Sequence, residues 1–294
     1  MKARLLALTA VLLWSTASSA FKISLRWLSP YQLLLSAAAV SCATLWLMLL
    51  FRKDKKSAYP VRGNSIFRFF MPALRGLLNP FLYYLVLLNA YDMLPAQIAM
   101  VINYLWPIML MLLSAPLLKQ SITPVMAGAS LLSFCGVGIL ALGGDPSGGS
   151  LSLPAMGLAL LSTVIWALFW ILNLRSTGDA VSNLARSFSF GLLYLLIFGL
   201  LTGRLAPMLD LPLRGIAGSA WVGLFEMGIT FVVWHKALEH AKTTSEVGNY
   251  IYLTPFVALI FIGTAVGERI GLHTVGGLVL VILGILLQNR AVSK

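Results

Sequence analysis

Ten apolar runs, each about 17 to 25 residues long, alternate with short polar stretches along this 294-residue chain. About 20 residues at helical rise cross the hydrocarbon core of a bilayer, so every run is long enough to span it. They lie near 4–25, 30–51, 67–89, 94–117, 122–142, 153–174, 181–202, 214–236, 244–266 and 270–289. None alternates with the period of two that a barrel strand shows, and each is about twice as long as such a strand needs. The pattern therefore predicts an all-α membrane protein with ten transmembrane helices.

The runs repeat. Adding 148 carries Tyr104, Leu105, Pro107, Gly128 and Gly136 onto Tyr252, Leu253, Pro255, Gly276 and Gly284. At 147, Gly76, Leu77 and Ala90 fall on Gly223, Leu224 and Ala237, and at 152 Trp14 falls on Trp166. Half of the chain length is 147, so duplication of one five-helix unit explains the matches economically. The Gly/Ser/Pro-rich stretch at 146–152 sits at the midpoint, giving repeats at 1–145 and 153–294 joined by a linker. An odd number of crossings per repeat places the second upside down relative to the first. Inverted repeats of this kind hold their substrate in a central cavity between the halves and work by alternating access.

Composition agrees with a bilayer as solvent. Hydrophobic residues make up 59% of the chain, charged residues 10%, and the mean hydropathy is +0.91. The net charge of +12 could suggest nucleic acid, but its distribution excludes that reading. With the N-terminus inside, fifteen of the 21 Lys and Arg fall on the cytoplasmic side, five on the other side and Arg75 within a run. This bias predicts an integral membrane protein with both termini cytoplasmic. The longest loop, Phe51 to Arg68, is basic and reads as a topology anchor. Lys2, Arg4 and Ser18-Ser19-Ala20 also look like a cleavable leader. The match of Trp14 to Trp166 argues that this segment is kept as the first helix. Cys42 and Cys135 lie in apolar runs and predict neither a disulfide framework nor a metal site. Gly263 and Gly267 form a small-xxx-small pair suited to packing within the chain; a monomer is expected, with a homodimer as the alternative.

Ionisable groups in hydrocarbon are costly and usually face a cavity. Glu226 is the one carboxylate placed in the middle of a run, and Arg75 the one basic residue. Arg75, Asn79 and Tyr83 recur every four residues, as do Glu226, Thr230 and Trp234, so each set shares a helix face. Asn79 corresponds to Glu226 under the repeat, which predicts that Arg75 and Glu226 meet across the cavity. Such a pair either fixes the packing of the halves or binds and gates substrate. Trp14, Tyr83, Tyr104, Trp106, Trp166, Trp170 and Tyr252 supply aromatic surface for apolar groups and cations, although plain packing accounts for any one of them. Asn103 and Asn249 add donors and acceptors ahead of Pro107 and Pro255, which free backbone carbonyls and are expected to act as hinges. These residues, with Arg75, Asn79, Glu226 and Thr230, form the expected substrate site. Glu226 is also the expected proton-coupling group. No Walker A, HExxH or GxSxG motif occurs, so neither an enzyme nor a cofactor is expected.

Trp14-Ser15-Thr16, Asn103-Tyr104-Leu105-Trp106-Pro107, Gly143-Gly144-Asp145, Ile165-Trp166-Ala167 and Tyr252-Leu253-Thr254-Pro255 together resemble the drug/metabolite transporter superfamily, in its ten-helix EamA-type members. The first two elements are most similar to bacterial aromatic amino-acid exporters of the YddG type. The resemblance implies a basket of helices around a cavity, an export direction and a place in the bacterial inner membrane. Arg75 and Glu226 depart from that subgroup, which puts the aromatic substrate in doubt. The expected function is export of a small amphipathic metabolite, an amino acid first, with Arg75 on its carboxylate and Glu226 on its ammonium. The alternatives are a cationic-drug or quaternary-amine exporter, a nucleotide-sugar or phosphate-ester exchanger, and a non-transporting membrane scaffold.

Overall fold

A computed structural model of the chain describes residues 2–51, 65–145, 151–174, 179–241 and 248–292. Residues 52–64 of the basic loop expected to anchor the topology and 146–150 of the 146–152 linker lie outside the described residues. Among the described residues there is no strand, and ten helices are long and apolar enough to cross a membrane. They are α1 Lys2–Ser24, α2 Pro30–Leu50, α3 Phe70–Met93, α4 Ala96–Leu118, α5 Pro124–Gly143, α6 Leu153–Asn173, α7 Ala180–Leu201, α8 Leu213–His240, α9 Asn249–Val266 and α10 Leu272–Arg290. The end of the bundle where α1 starts and α10 finishes is its inner end, and the opposite one its outer end.

Local chemistry sets several helix termini. Ser29 caps α2 through a capping box with Gln32, and Asp179 accepts from the backbone of Ser182 at the start of α7. Gly267 closes α9 with φ of +83°, where a side chain would be strained. The helices pack in pairs that exchange under a swap of halves. α1 lies against α8 as α6 lies against α3, α1 against α9 as α6 against α4, and α2 against α8 as α7 against α3. α5 and α10 pair with each other, and there a side chain at Gly136 would strike the Gly277 carbonyl, while one at Gly284 would strike that of Ala129. Those two contacts are related by the 148-residue offset.

Five of the spans are interrupted along their length. α1 breaks at Thr16 and α4 at Tyr104 and Leu105, with Pro107 second in the helix that resumes. α9 opens as a 3-10 turn over Asn249–Leu253 and becomes α-helical from Thr254, again with Pro255 second. A proline ring removes one donor and crowds the carbonyl four residues back, which accounts for both breaks. α3 passes through a π-helical stretch, Leu77–Leu82, and α8 through another, Val222–Glu226, at equivalent places in the two halves. Hydrogen bonds bridge the breaks to their neighbours: Ser15 Oγ donates to the Thr254 carbonyl at 3.1 Å, and Asn103 Nδ2 donates to Ser162 Oγ at 3.0 Å.

Candidate functional site

The interrupted helices surround a central cavity of about 420 Å³. Ten of the residues expected at the site line it: Trp14, Tyr83, Asn103, Tyr104, Trp106, Trp166, Trp170, Glu226, Asn249 and Tyr252. Two aromatic groups make most of the wall. On one side Tyr83 and Trp166 lie with ring centroids 4.5 Å apart, and Trp170 links Trp166 to Trp106. On the other, Trp14 contacts Phe231 and Trp234 at 5.4 and 5.6 Å. Trp166 and Phe231, 6.3 Å apart, join the two groups.

Glu226 is the one charged side chain among the described residues that line the cavity. It ends the π-helical stretch of α8, just before Gly228, whose φ of −120° and ψ of −94° interrupt the helix. The Tyr84 hydroxyl donates to its carboxylate at 3.0 Å, and Trp14 Nε1 donates to its backbone carbonyl at 3.4 Å. The break thus turns a carboxylate toward the cavity while the loosened backbone is held by an indole. Ser41 Oγ, at 2.8 Å from the Met227 carbonyl, holds it from the α2 side.

Arg75, Asn79 and Thr230 do not line the cavity, contrary to expectation. No ion pair joins Arg75 to Glu226: Arg75 is 5% exposed with its Nε unpartnered, and the Glu226 carboxylate is served by Tyr84. Asn79 is fully buried, in an extended conformation (φ −143°, ψ 119°), with neither amide atom hydrogen-bonded. Thr230 turns its hydroxyl back to the Phe225 carbonyl. The cause is the same in both helices. A π-helical stretch adds a residue to a turn, rotating the helix before it by about 100° relative to the helix after it. Four-residue spacing counted through it therefore fails. Arg75 and Asn79 leave the face of Tyr83; beyond Gly228 the cavity receives Phe231 in place of Thr230, while Trp234 stays on it. Tyr84 and Phe231 were absent from the expected site for this reason, whereas Trp234 was counted on the face of Glu226 and left out of the site. Pro80 and Gly228 were the available signals of the irregularity.

The cavity extends from Glu226 toward the inner end, where Asn289, Gly248 and Trp234 line it and Asn289 donates to the Tyr252 hydroxyl. Toward the outer end Ser18, Phe21 and Tyr91 line it. There Ser18 and Tyr91 share a hydrogen bond of 2.7 Å, and Lys22 Nζ donates to the carbonyls of Tyr91 and Leu94 that end α3. Glu268 accepts from the backbone N–H groups of Ala96 and Gln97, satisfying the orphan donors at the start of α4. A carboxylate at that helix end is also favoured by the helix dipole.

The model of the EamA-like transporter family matches residues 1–142 and again residues 153–290. The chain is 25% identical over 217 residues to the uncharacterized transporter YvbV of Bacillus subtilis, covering 73% of this chain and 70% of that one. It is 26% identical over 298 residues to an uncharacterized transporter of Archaeoglobus fulgidus, covering 97% and 96%. A solved crystal structure aligns over 98% of this chain and 96% of its own with a TM-score of 0.61 at 20% identity, a likeness of fold. With ten apolar helices around a central cavity and both halves of the chain matched, this protein belongs to the EamA-like transporter family.

Proposed function

We propose that the protein exports a small organic cation, an aromatic or alkyl ammonium compound, by alternating access around Glu226. The observation that carries this reading is the single negative charge among the described lining residues, set within an aromatic wall and with no cationic side chain there. A carboxylate and several aromatic rings are what an ammonium group needs, through charge and cation–π attraction. An amino acid also needs a partner for its carboxylate, and Arg75, expected in that role, lies outside the cavity. Quaternary amines therefore rank above amino acids, reversing the order expected from the sequence.

The proposal includes two inverted repeats, 1–145 and 153–294, in the bacterial inner membrane with both termini cytoplasmic. The inner end is then cytoplasmic, and the cavity is loaded from there. Pro107 and Pro255 serve as hinges where α4 and α9 are already interrupted. Glu226 couples transport to protons: it must be ionised to hold the cation and takes up a proton when the cation leaves. Counterflow in proteoliposomes tests the substrate class, with benzyltrimethylammonium, phenylalanine and a nucleotide sugar side by side. Exchange of the amine alone, suppressed by lowering the pH, is the expected outcome. Exchange of phenylalanine without the amine sinks the reading, and exchange of none favours a scaffold.

A further inference from the structure

Between the inner ends of α6, α7 and α8 lies a second cavity of about 340 Å³. Trp170, Phe231 and Trp234 line both this space and the central cavity, so these three side chains form the partition between them. Across from the partition stand Asn173, Leu184 and His235. The imidazole of His235 lies 3.2 Å from the Glu239 carboxylate, with both side chains partly exposed, which sets a negative charge beside this space.

The fold does not require the cavity. Its counterpart in the other half lies between the outer ends of α1, α2 and α3, where the repeat offsets carry Trp170 to Ser18, Phe231 to Tyr84, Trp234 to Leu87 and Leu238 to Tyr91. Aligning α2 and α7 on their caps, Ser29 and Asp179, carries Leu184 to Leu34. Ser18 is 6% exposed and Tyr84 and Leu34 are wholly buried; Phe21 packs edge-on to Tyr91 at 5.2 Å. In one repeat these residues are buried, with Ser18, Leu87 and Tyr91 bordering the central cavity, and in the other a separate cavity stands beside the partition. Empty space forfeits the dispersion contacts of the atoms around it. Trp170, in the partition, also has a buried Nε1 without a hydrogen-bond partner.

We propose that this side cavity is a second binding station for the transported cation, passed on the way between the inner end and Glu226. This rests on the organic-cation reading above. The three partition side chains hold an ammonium compound by cation–π attraction, Asn173 supplies a polar contact, and the carboxylate of Glu239 attracts the charge at the approach. Rotation of the partition passes the cation on to the central cavity. The station is weaker than the central one because no ionised carboxylate lines it.

Equilibrium dialysis of benzyltrimethylammonium against the full-length protein in nanodiscs tests this. The expected stoichiometry is two per chain, falling to one in Glu226→Gln and also to one in Leu184→Trp, which puts an indole into the side cavity. Asn173→Ala keeps the test open if Leu184→Trp does not fold. It should weaken the second binding event about two- to fivefold and leave the first unchanged, as expected for loss of one C–H···O contact between the amide oxygen and the methylammonium group. One molecule per chain, lost in Glu226→Gln, upholds the central site and overturns the second station, as does a second event that neither side-cavity variant alters. No binding to the wild-type protein overturns the substrate reading and this proposal with it.

Discussion

α3 and α8 break at equivalent depths, yet the breaks do opposite things. In α3 the π-helical stretch contains Pro80 and turns Asn79 into packed protein, where Pro80 lies against Gly191 of α7. In α8 the corresponding position is Glu226, and the stretch turns it to the cavity. The residue types match their surroundings. A neutral amide without partners costs a few kcal/mol when buried, whereas an unpaired carboxylate there costs several more. A charge is tolerated at this depth where it borders a cavity, and the break in α8 provides one. The two breaks are equivalent in position, and they differ in that Asn79 is buried in packed protein whereas Glu226 lines the cavity.

The strongest way to break this comparison is to exchange the residue types. Asn79→Asp places a carboxylate in the packed break and should cost several kcal/mol, read as a large loss of folded protein and of thermal stability in detergent. Asn79→Leu, which removes the unpartnered amide, should fold as well as wild type. A stable Asn79→Asp protein would show that the α3 break also has access to water. Next in size is Glu226→Gln, which keeps the shape and removes the charge. Binding of benzyltrimethylammonium should fall by roughly 10- to 100-fold with thermal stability retained, as for loss of one opposite charge beside the ammonium group in a site partly shielded from water. Equal binding by this variant would take Glu226 out of the site.

Smaller effects sharpen the contrast. Tyr84→Phe deletes the hydroxyl that donates to Glu226, an interaction worth about 1 kcal/mol, and should change affinity by about fivefold. The smallest effect is expected at Arg75. Because it lies outside the cavity, Arg75→Gln should leave cation affinity within about twofold of wild type. A tenfold change in a folded Arg75→Gln protein would mean that Arg75 reaches the substrate in another state of the transport cycle.

Membrane crossing was legible in the sequence because it depends on apolar length, a local property measured against the bilayer. The run near 30–51 became Pro30–Leu50, and that near 153–174 became Leu153–Asn173. The interruptions at Pro107 and Pro255 were equally legible, since a proline acts on its own turn. Which side chains share the cavity was legible only in part. Trp14 and Trp166 reach it in helices whose phase is kept to that depth, whereas Arg75, Asn79 and Thr230 were placed by counting through a π-helical turn. One added residue there rotates a face by about 100°, and whether a helix takes that turn depends on its neighbours, here α7 against Gly76 and α2 against Gly223. Sequence therefore determined the helices and their proline breaks, and tertiary packing decided the π-helical turns and the faces, because phase accumulates along a helix and one irregular turn resets it.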